Sequence, residues 1–250
     1  MAVVARLRGD GGCPWDRAQT LASLRPYLLE EAHEALAGID RDDDDETAKE
    51  LGDLLFVTLL MIRIAEDEGR FSLSDVTARV VRKMIHRHPH VFDPEHARSD
   101  DDGSLAAWEA RKADERGDRS ALDGVPDTLP ALLRAHRIGE KASRVGFDWP
   151  DVSGVRAKLT EEVGELDEAL ATGDPAKVTH EFGDVLLTLA NLGRFLPIGG
   201  EEALRTATAR FETRFRHVEG QLADAGRAMA DTDAHTLEAY WERAKKEGPR

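Results

Sequence analysis

The sequence is poor in the residues that most often decide a fold on their own. It has one cysteine, Cys13, in 250 residues. That excludes an intrachain disulfide and a multi-cysteine zinc site, and it suits a reducing compartment. Aromatic residues are 6% of the chain, and the β-branched and aromatic runs that fill strands are sparse. No stretch reaches the roughly 20 apolar residues of a membrane span, and the apolar run within Met1 to Arg8 is too short for a signal peptide. A soluble, cytoplasmic protein with no membrane contact is expected. Positive charge is also in deficit, with 34 Lys and Arg against 49 Asp and Glu, a net charge of -15. Such a chain repels a nucleic-acid backbone, so nucleic acid is not an expected partner. A small phosphorylated ligand is still compatible, because a bound divalent cation inverts the local charge. There is no GxxxxGKS/T loop and no GxSxG elbow, and Gly11-Gly12 leads into Cys-Pro without a preceding strand.

What the chain does contain is Ala, Leu, Glu and Arg in periodic stretches, all strong helix formers. It also contains itself twice. LLEEAHEAL recurs as LTEEVGELDEAL, and ELGDLLFVTL recurs as EFGDVLLTLA. Glu31, Glu34, Glu50 and Asp53 each return 131 positions later, as Glu162, Glu165, Glu181 and Asp184. Further on the echo slips slightly: Lys83 and Arg87 return 127 positions later as Arg210 and Arg214, and Trp108 and Lys112 return 133 positions later as Trp241 and Lys245. Changes of loop length between helices produce such slips. The period, roughly 110–120 residues for one helical unit, exceeds that of solenoid repeats.

An all-α fold is therefore expected, a tandem duplication of a four-helix-bundle-like unit. Residues 1–115 form the first repeat and 131–250 the second. A linker over 116–130 is rich in Gly117, Gly124, Pro126 and Pro130. In the first repeat, helices are expected over Leu24–Ala37, Thr47–Glu68 and Leu73–Arg87, with a short one around Trp108 and the acidic loop Asp42–Asp45 joining the first two. In the second, Gly173-Asp174-Pro175 is the equivalent turn, and Pro197–Gly200 ends the next helix.

Residues three apart on a helix share a face, so Glu162 and Glu165 project together, as do Glu181 and Asp184. Two antiparallel helices joined by a short turn point both pairs into one space. Four carboxylates there cannot all ionise without a counter-charge. A hard divalent cation resolves the conflict, and all-oxygen ligands favour Mg²⁺ or Mn²⁺ over zinc. A single such pair on an acidic protein is usually a solvated face. Two pairs at one spacing, occurring twice and each leading into an apolar run expected to be largely buried, favour the metal. Gly52 and Gly183, just before the aspartates, point to close approach by a helix or a ligand.

Arg210 and Arg214 share a helix face, as do Trp241 and Lys245. Arg and Lys beside a metal suit a triphosphate, and a tryptophan can stack a base; taken alone, Trp241 is better explained by core packing and the Arg pair by a solvated surface. Lys158 is grouped with these substrate-binding residues. His86, His88, His90 and His96 lack a partner carboxylate at matching spacing, and Pro89 interrupts their helix. Asp42–Asp45 lacks the glycine and closing glutamate of a calcium loop.

Together the two EExxE…ExxD arrays, GCPWD at Gly12–Asp16, HRHPHVF at His86–Phe92 and VGFDW at Val145–Trp149 resemble the MazG nucleoside triphosphate pyrophosphohydrolases, from about Leu7 to Lys246. The array alone is shared with dimeric dUTPases and phosphoribosyl-ATP pyrophosphohydrolases; the flanking motifs narrow it. The resemblance implies a duplicated four-helix-bundle unit, a homodimer, and Mg²⁺-dependent hydrolysis between the α- and β-phosphates to a monophosphate and diphosphate. The metal ligands it implies are Glu162, Glu165, Glu181 and Asp184, with Glu31, Glu34, Glu50 and Asp53 as first-copy counterparts. Glu161, next to Glu162, is the expected partner of the attacking water, and Arg210 stands where the family pattern has lysine. The second repeat is favoured as the active one by its ordered set Arg210, Arg214, Trp241 and Lys245. The competing possibilities are a narrower substrate such as dUTP or dCTP, and a metal-free helical interaction module. A carboxylate-bridged di-iron centre would need Glu-x-x-His motifs, where this chain has Glu165 and Asp184.

Overall fold

A computed structural model describes residues 1–93, 95, 103, 104, 107, 108 and 120–247. These residues form α-helices and one 3-10 turn, with no strand among them. None of the helices is long and apolar enough to cross a membrane. The chain divides into two compact units, Met1–Gly117 and Asp118–Arg250. His96, Asp100, Lys112 and the start of the expected linker lie outside the described residues; the stretch 120–130 consists of turns and extended chain.

In the first unit α1 spans Ala2–Arg8, α2 Pro14–Ala18, α3 Arg25–Asp40, α4 Asp44–Asp67, α5 Leu73–Arg87 and α6 Pro89–Phe92. The most extensive packing is between α3 and α4. Their connection is tighter than expected. Only Arg41 to Asp43 lie outside the helices, with Asp42 at φ +54°, and the Asp43 side chain accepts a hydrogen bond from the Glu46 N–H at 3.0 Å. Asp44 and Asp45 therefore belong to the first turn of α4 and not to a loop, where their charge complements the helix dipole. Gly38 permits this closeness: a β-carbon there would lie 2.8 Å from the Thr47 hydroxyl oxygen and 3.0 Å from its backbone nitrogen. Val4, Leu24, Leu60 and Ile64 form the core, flanked by Leu21, Phe56, Leu59 and Met61. Arg8 straps α1 to α4 through Asp67 at 3.1 Å and also donates to the Asp16 carbonyl at 2.6 Å. A Ser72–Asp75 capping box opens α5. The helix ends at Arg87, because Pro89 cannot continue it, and the His88 ring lies 2.7 Å from the Met84 carbonyl.

In the second unit α7 spans Ala131–Ser143, α8 Val152–Thr172, α9 Pro175–Gly193, α10 Gly200–Asp224 and α11 Ala234–Glu247, with the 3-10 turn at Met229–Asp231. The α8–α9 pair repeats the α3–α4 pair. Gly173 takes φ +67°, Asp174 caps α9 by accepting from the Ala176 N–H at 3.0 Å, and Pro175 sits at the first helical position. The loop after α7 is locked onto the end of α9: Arg194, its side chain 8% exposed, pairs with Asp148 and donates to the Asn191 side-chain oxygen at 2.9 Å. Between α10 and α11 lies an apolar cluster of Val218, Leu222 and Ala244 with Met229, Leu237, Tyr240 and Trp241.

One expectation is corrected. The apolar run after Asp53 is buried or half-buried apart from Leu55, as expected, but the run after Asp184 is not largely buried. After Asp53, Val57, Leu60, Ile62 and Ile64 are interior; after Asp184, Val185 and Ala190 are interior but Leu186, Leu187 and Leu189 are exposed, and Leu51 and Phe182, just ahead of the aspartates, are exposed as well. A helix that is apolar all round has only part of its circumference packed within such a small unit.

Candidate metal and nucleotide site

The acidic arrays form two clusters. One carboxylate oxygen each from Glu31 on α3 and Glu50 and Asp53 on α4 lie within 4.8 Å of one another. Glu162 on α8 and Glu181 and Asp184 on α9 do the same. Helical spacing puts each ExxD pair on one face, and the short interhelix turn brings the facing glutamate opposite. Each cluster has one interior member, Glu50 at 2% and Glu162 at 6% exposure. Glu34 and Glu165 stand outside the closest groups of three oxygens, on exposed positions beside them.

Crowding shows in the titration of these groups. Desolvation, then the charges of Asp53, Glu34 and Glu50, raises the pKa of Glu31. Desolvation followed by the Glu50 charge raises that of Glu34. For Glu165 desolvation again leads; Glu162 and Glu181 add to the rise and Lys158 opposes it. Such groups gain from a cation. The donor set also fits one: Mg²⁺ binds oxygens at about 2.1 Å, so two ligands on opposite sides of the ion stand ~4 Å apart, and the oxygens here all lie within 4.8 Å of one another.

Each cluster also carries a basic group. The Lys158 ammonium lies 2.7 Å from Glu161 and 2.9 Å from Glu162, and these two hydrogen bonds drive its pKa upward. Lys49 lies 2.5 Å from Glu50 and 3.5 Å from Glu46. The hydrogen bond to Glu50 raises the Lys49 pKa, and the same bond is the leading cause that lowers that of Glu50. His180 lies 3.5 Å from Asp184. Lys49 and His180 were not among the expected residues. The 131-residue offset superposes them, and a basic group beside the first acid of both ExxD pairs was the signal available.

Of the expected substrate-binding residues, Lys158 is the one bonded to a cluster. Arg210 is exposed and Arg214 half-buried on α10, while Lys245 on α11 bonds Glu242 at 2.5 Å. Phe211 and Phe215 run beside the two arginines on α10, stacked with centroids 5.9 Å apart. Trp241 packs in the apolar cluster, 5.2 Å from Phe211, and also lines an open cavity of about 310 Å³ with Phe211, Phe215, Met229, Leu237 and Glu238. In the first unit the Arg87 guanidinium lies over the Trp108 ring at 5.6 Å.

Residues 19–92 and 151–219 both match the MazG nucleotide pyrophosphohydrolase domain. The chain belongs to the MazG family. Each matched stretch contains one carboxylate cluster whole, so the tandem duplication and the all-α class hold. The chain is 41% identical over 253 residues to a nucleoside triphosphate pyrophosphohydrolase of Escherichia coli (strain K12), covering 99% of this chain and 96% of that one. It is 42% identical over 248 residues to a nucleoside triphosphate pyrophosphohydrolase/pyrophosphatase MazG of Thermotoga maritima, covering 98% and 94%. It is also 40% identical over 249 residues to the uncharacterised Bacillus subtilis protein YabN, 98% of this chain but 50% of that one.

Proposed function

We propose that this MazG protein is a Mg²⁺-dependent nucleoside triphosphate pyrophosphohydrolase, converting an NTP or dNTP and water to the monophosphate and diphosphate, and that it works as a cytoplasmic homodimer. The observation that carries this is the convergence of Glu162, Glu181 and Asp184 oxygens within 4.8 Å, an oxygen-only donor set around one interior carboxylate. Glu162, Glu165, Glu181 and Asp184 would hold Mg²⁺, with Glu31, Glu34, Glu50 and Asp53 as the N-terminal counterpart. When bound, the ion neutralises phosphate charge and polarises the α-phosphoryl group.

The chain's own residues supply the rest. Glu161, exposed and adjacent to Glu162, orients the attacking water and takes its proton, while Lys158 at 2.7 Å fixes its carboxylate. Water adds to the α-phosphorus, and the bond to the oxygen bridging to the β-phosphorus breaks. Arg210, Arg214 and Lys245 bind the phosphates and stabilise the departing diphosphate. Trp241 stacks the base. The cavity it lines is apolar apart from Glu238, which favours stacking over reading of base edges and so a broad substrate range.

Two features support the dimer. An added β-carbon at Gly52 or Gly183 meets nothing within 4 Å, so the close approach expected there does not come from the described residues of this chain. Both glycines sit among exposed apolar residues: Leu51 and Leu55, and Phe182, Leu186 and Leu187. A second copy would cover them.

Hydrolysis in ¹⁸O-water tests the bond assignment. Label in the monophosphate supports attack at the α-phosphorus; label in the diphosphate or in orthophosphate refutes it. Sedimentation tests the dimer: Phe182→Glu is expected to shift the mass from twice 27.6 kDa to 27.6 kDa, and an unchanged mass rejects this face as the interface.

A further inference from the structure

The two clusters are alike in their acids and unlike in their cations. In the second unit the cation is Lys158, on α8, shared between exposed Glu161 at 2.7 Å and interior Glu162 at 2.9 Å. In the first it is Lys49, on α4, 2.5 Å from interior Glu50. The offset that superposes the acids places Tyr27 where Lys158 stands and His180 where Lys49 stands. Tyr27 is turned edge-on against Trp15, with ring centroids 5.7 Å apart, and a phenol carries no positive charge in either protonation state.

A carboxylate oxygen engaged by an ammonium cannot give the same lone pair to a divalent cation. Lys158 has somewhere else to go. Glu161 lies outside the three-oxygen group, so the ammonium can leave Glu162 and remain tethered to Glu161 on its own helix. An ammonium has three donors, and release from Glu162 frees one or more of them beside the cluster, on a flexible four-carbon stem. The first unit has no basic side chain at the corresponding position of α3.

We propose that Lys158 couples the two ligands of the C-terminal cluster, yielding Glu162 to the divalent cation and turning its freed N–H groups to the polyphosphate, whereas the N-terminal cluster, with Tyr27 in that position, lacks this coupling. The proposal rests on the pyrophosphohydrolase function above and adds to the substrate contact expected of Lys158 a link to the cation site through Glu162. Its mark is opposite effects on two affinities. Removing the lysine removes a competitor for Glu162, so the cation binds more tightly; it also removes a phosphate donor, so the polyphosphate binds more weakly. A lysine with a merely structural role would weaken both on removal.

The experiment is calorimetric titration of the full chain with Mn²⁺, and then with α,β-imido-ATP at saturating Mn²⁺. A Glu31→Gln background leaves the C-terminal cluster as the one with its full set of acids. Lys158→Met is expected to tighten Mn²⁺ binding by about tenfold and to weaken the analogue by at least about tenfold, with Lys158→Arg recovering part of the analogue affinity. In the parent chain Lys49→Met is expected to tighten Mn²⁺ binding and leave analogue affinity within about twofold. Unchanged or weaker Mn²⁺ binding in Lys158→Met, or unchanged analogue binding, overturns the coupling. If Mn²⁺ binds and Glu162→Gln abolishes it, such a result sinks the coupling alone. If the wild type binds no Mn²⁺, both the coupling and the metal-dependent function fall.

Discussion

Glu162 is where the loss of a single charge should matter most. Its carboxylate is 6% exposed, 2.9 Å from Lys158 and within 4.8 Å of ligand oxygens on Glu181 and Asp184. Glu162→Gln keeps the side-chain volume and the helix propensity and removes one negative charge. Two unit charges about 4 Å apart in a partly screened protein site interact by ~4 kcal/mol. A divalent cation doubles that, and recovered hydration of the cation offsets part of it. A net loss of about 4 kcal/mol weakens cation affinity by a factor of roughly 1,000. Folding should change little, because Lys158 keeps its 2.7 Å partner Glu161 and a partly exposed ion pair contributes about 0–1 kcal/mol. The assay is calorimetric Mg²⁺ or Mn²⁺ titration alongside far-ultraviolet circular dichroism. In a Glu31→Gln background, which leaves the C-terminal cluster as the one with its full set of acids, a folded Glu162→Gln protein whose cation affinity stays within tenfold of the background would refute the reasoning, leaving Glu162 a structural acid paired with Lys158.

Other perturbations follow from the same contacts. Arg194→Met strips Asp148 and Asn191 of an interior donor and is expected to cost about 2–3 kcal/mol in urea unfolding; a loss under ~0.5 kcal/mol would show the loop is held by other means. Gly12→Ala places a β-carbon 2.1 Å from the Leu7 carbonyl oxygen, and thermal unfolding should register at least about 2 kcal/mol of strain. The Glu34 pKa is raised, first by desolvation and then by Glu50, so the folded protein holds that proton more tightly than the unfolded chain. The destabilising contribution is absent at pH below the unfolded value and grows as pH rises through the folded one. In EDTA, Glu34→Gln is therefore expected to raise the melting temperature at pH 7, with the gain vanishing below about pH 4; a gain that persists at low pH contradicts the electrostatic cause.

Much of the architecture could be read from the residues because the chain carries its own comparison. The shared 131-residue offset identified both helix pairs and all the clustered acids, and Gly173-Asp174-Pro175 announced its turn through residues whose backbone preferences leave few alternatives. The start of α4 was less legible, since Asp44 and Asp45 suit a loop and a first helical turn equally well. The exposure along α9 was less legible for a different reason: apolar character says that a side chain gains from cover, not that its own unit provides it, and Leu186, Leu187 and Leu189 stay exposed. Lys49 was less legible because its counterpart is His180, which preserves basic character but neither the charge nor the reach of a lysine. The anchoring of Asp148 by Arg194 spans 46 positions, a distance over which helical periodicity gives no guidance.

The most direct test is product analysis with the eight common NTPs and dNTPs, with and without Mg²⁺, on wild type, Glu162→Gln and Glu31→Gln. Equimolar monophosphate and diphosphate, no orthophosphate, strict Mg²⁺ dependence and loss of turnover in Glu162→Gln are the expected results. Nucleotides left intact under every metal, or full turnover in Glu162→Gln, would contradict a hydrolase centred on the C-terminal carboxylates.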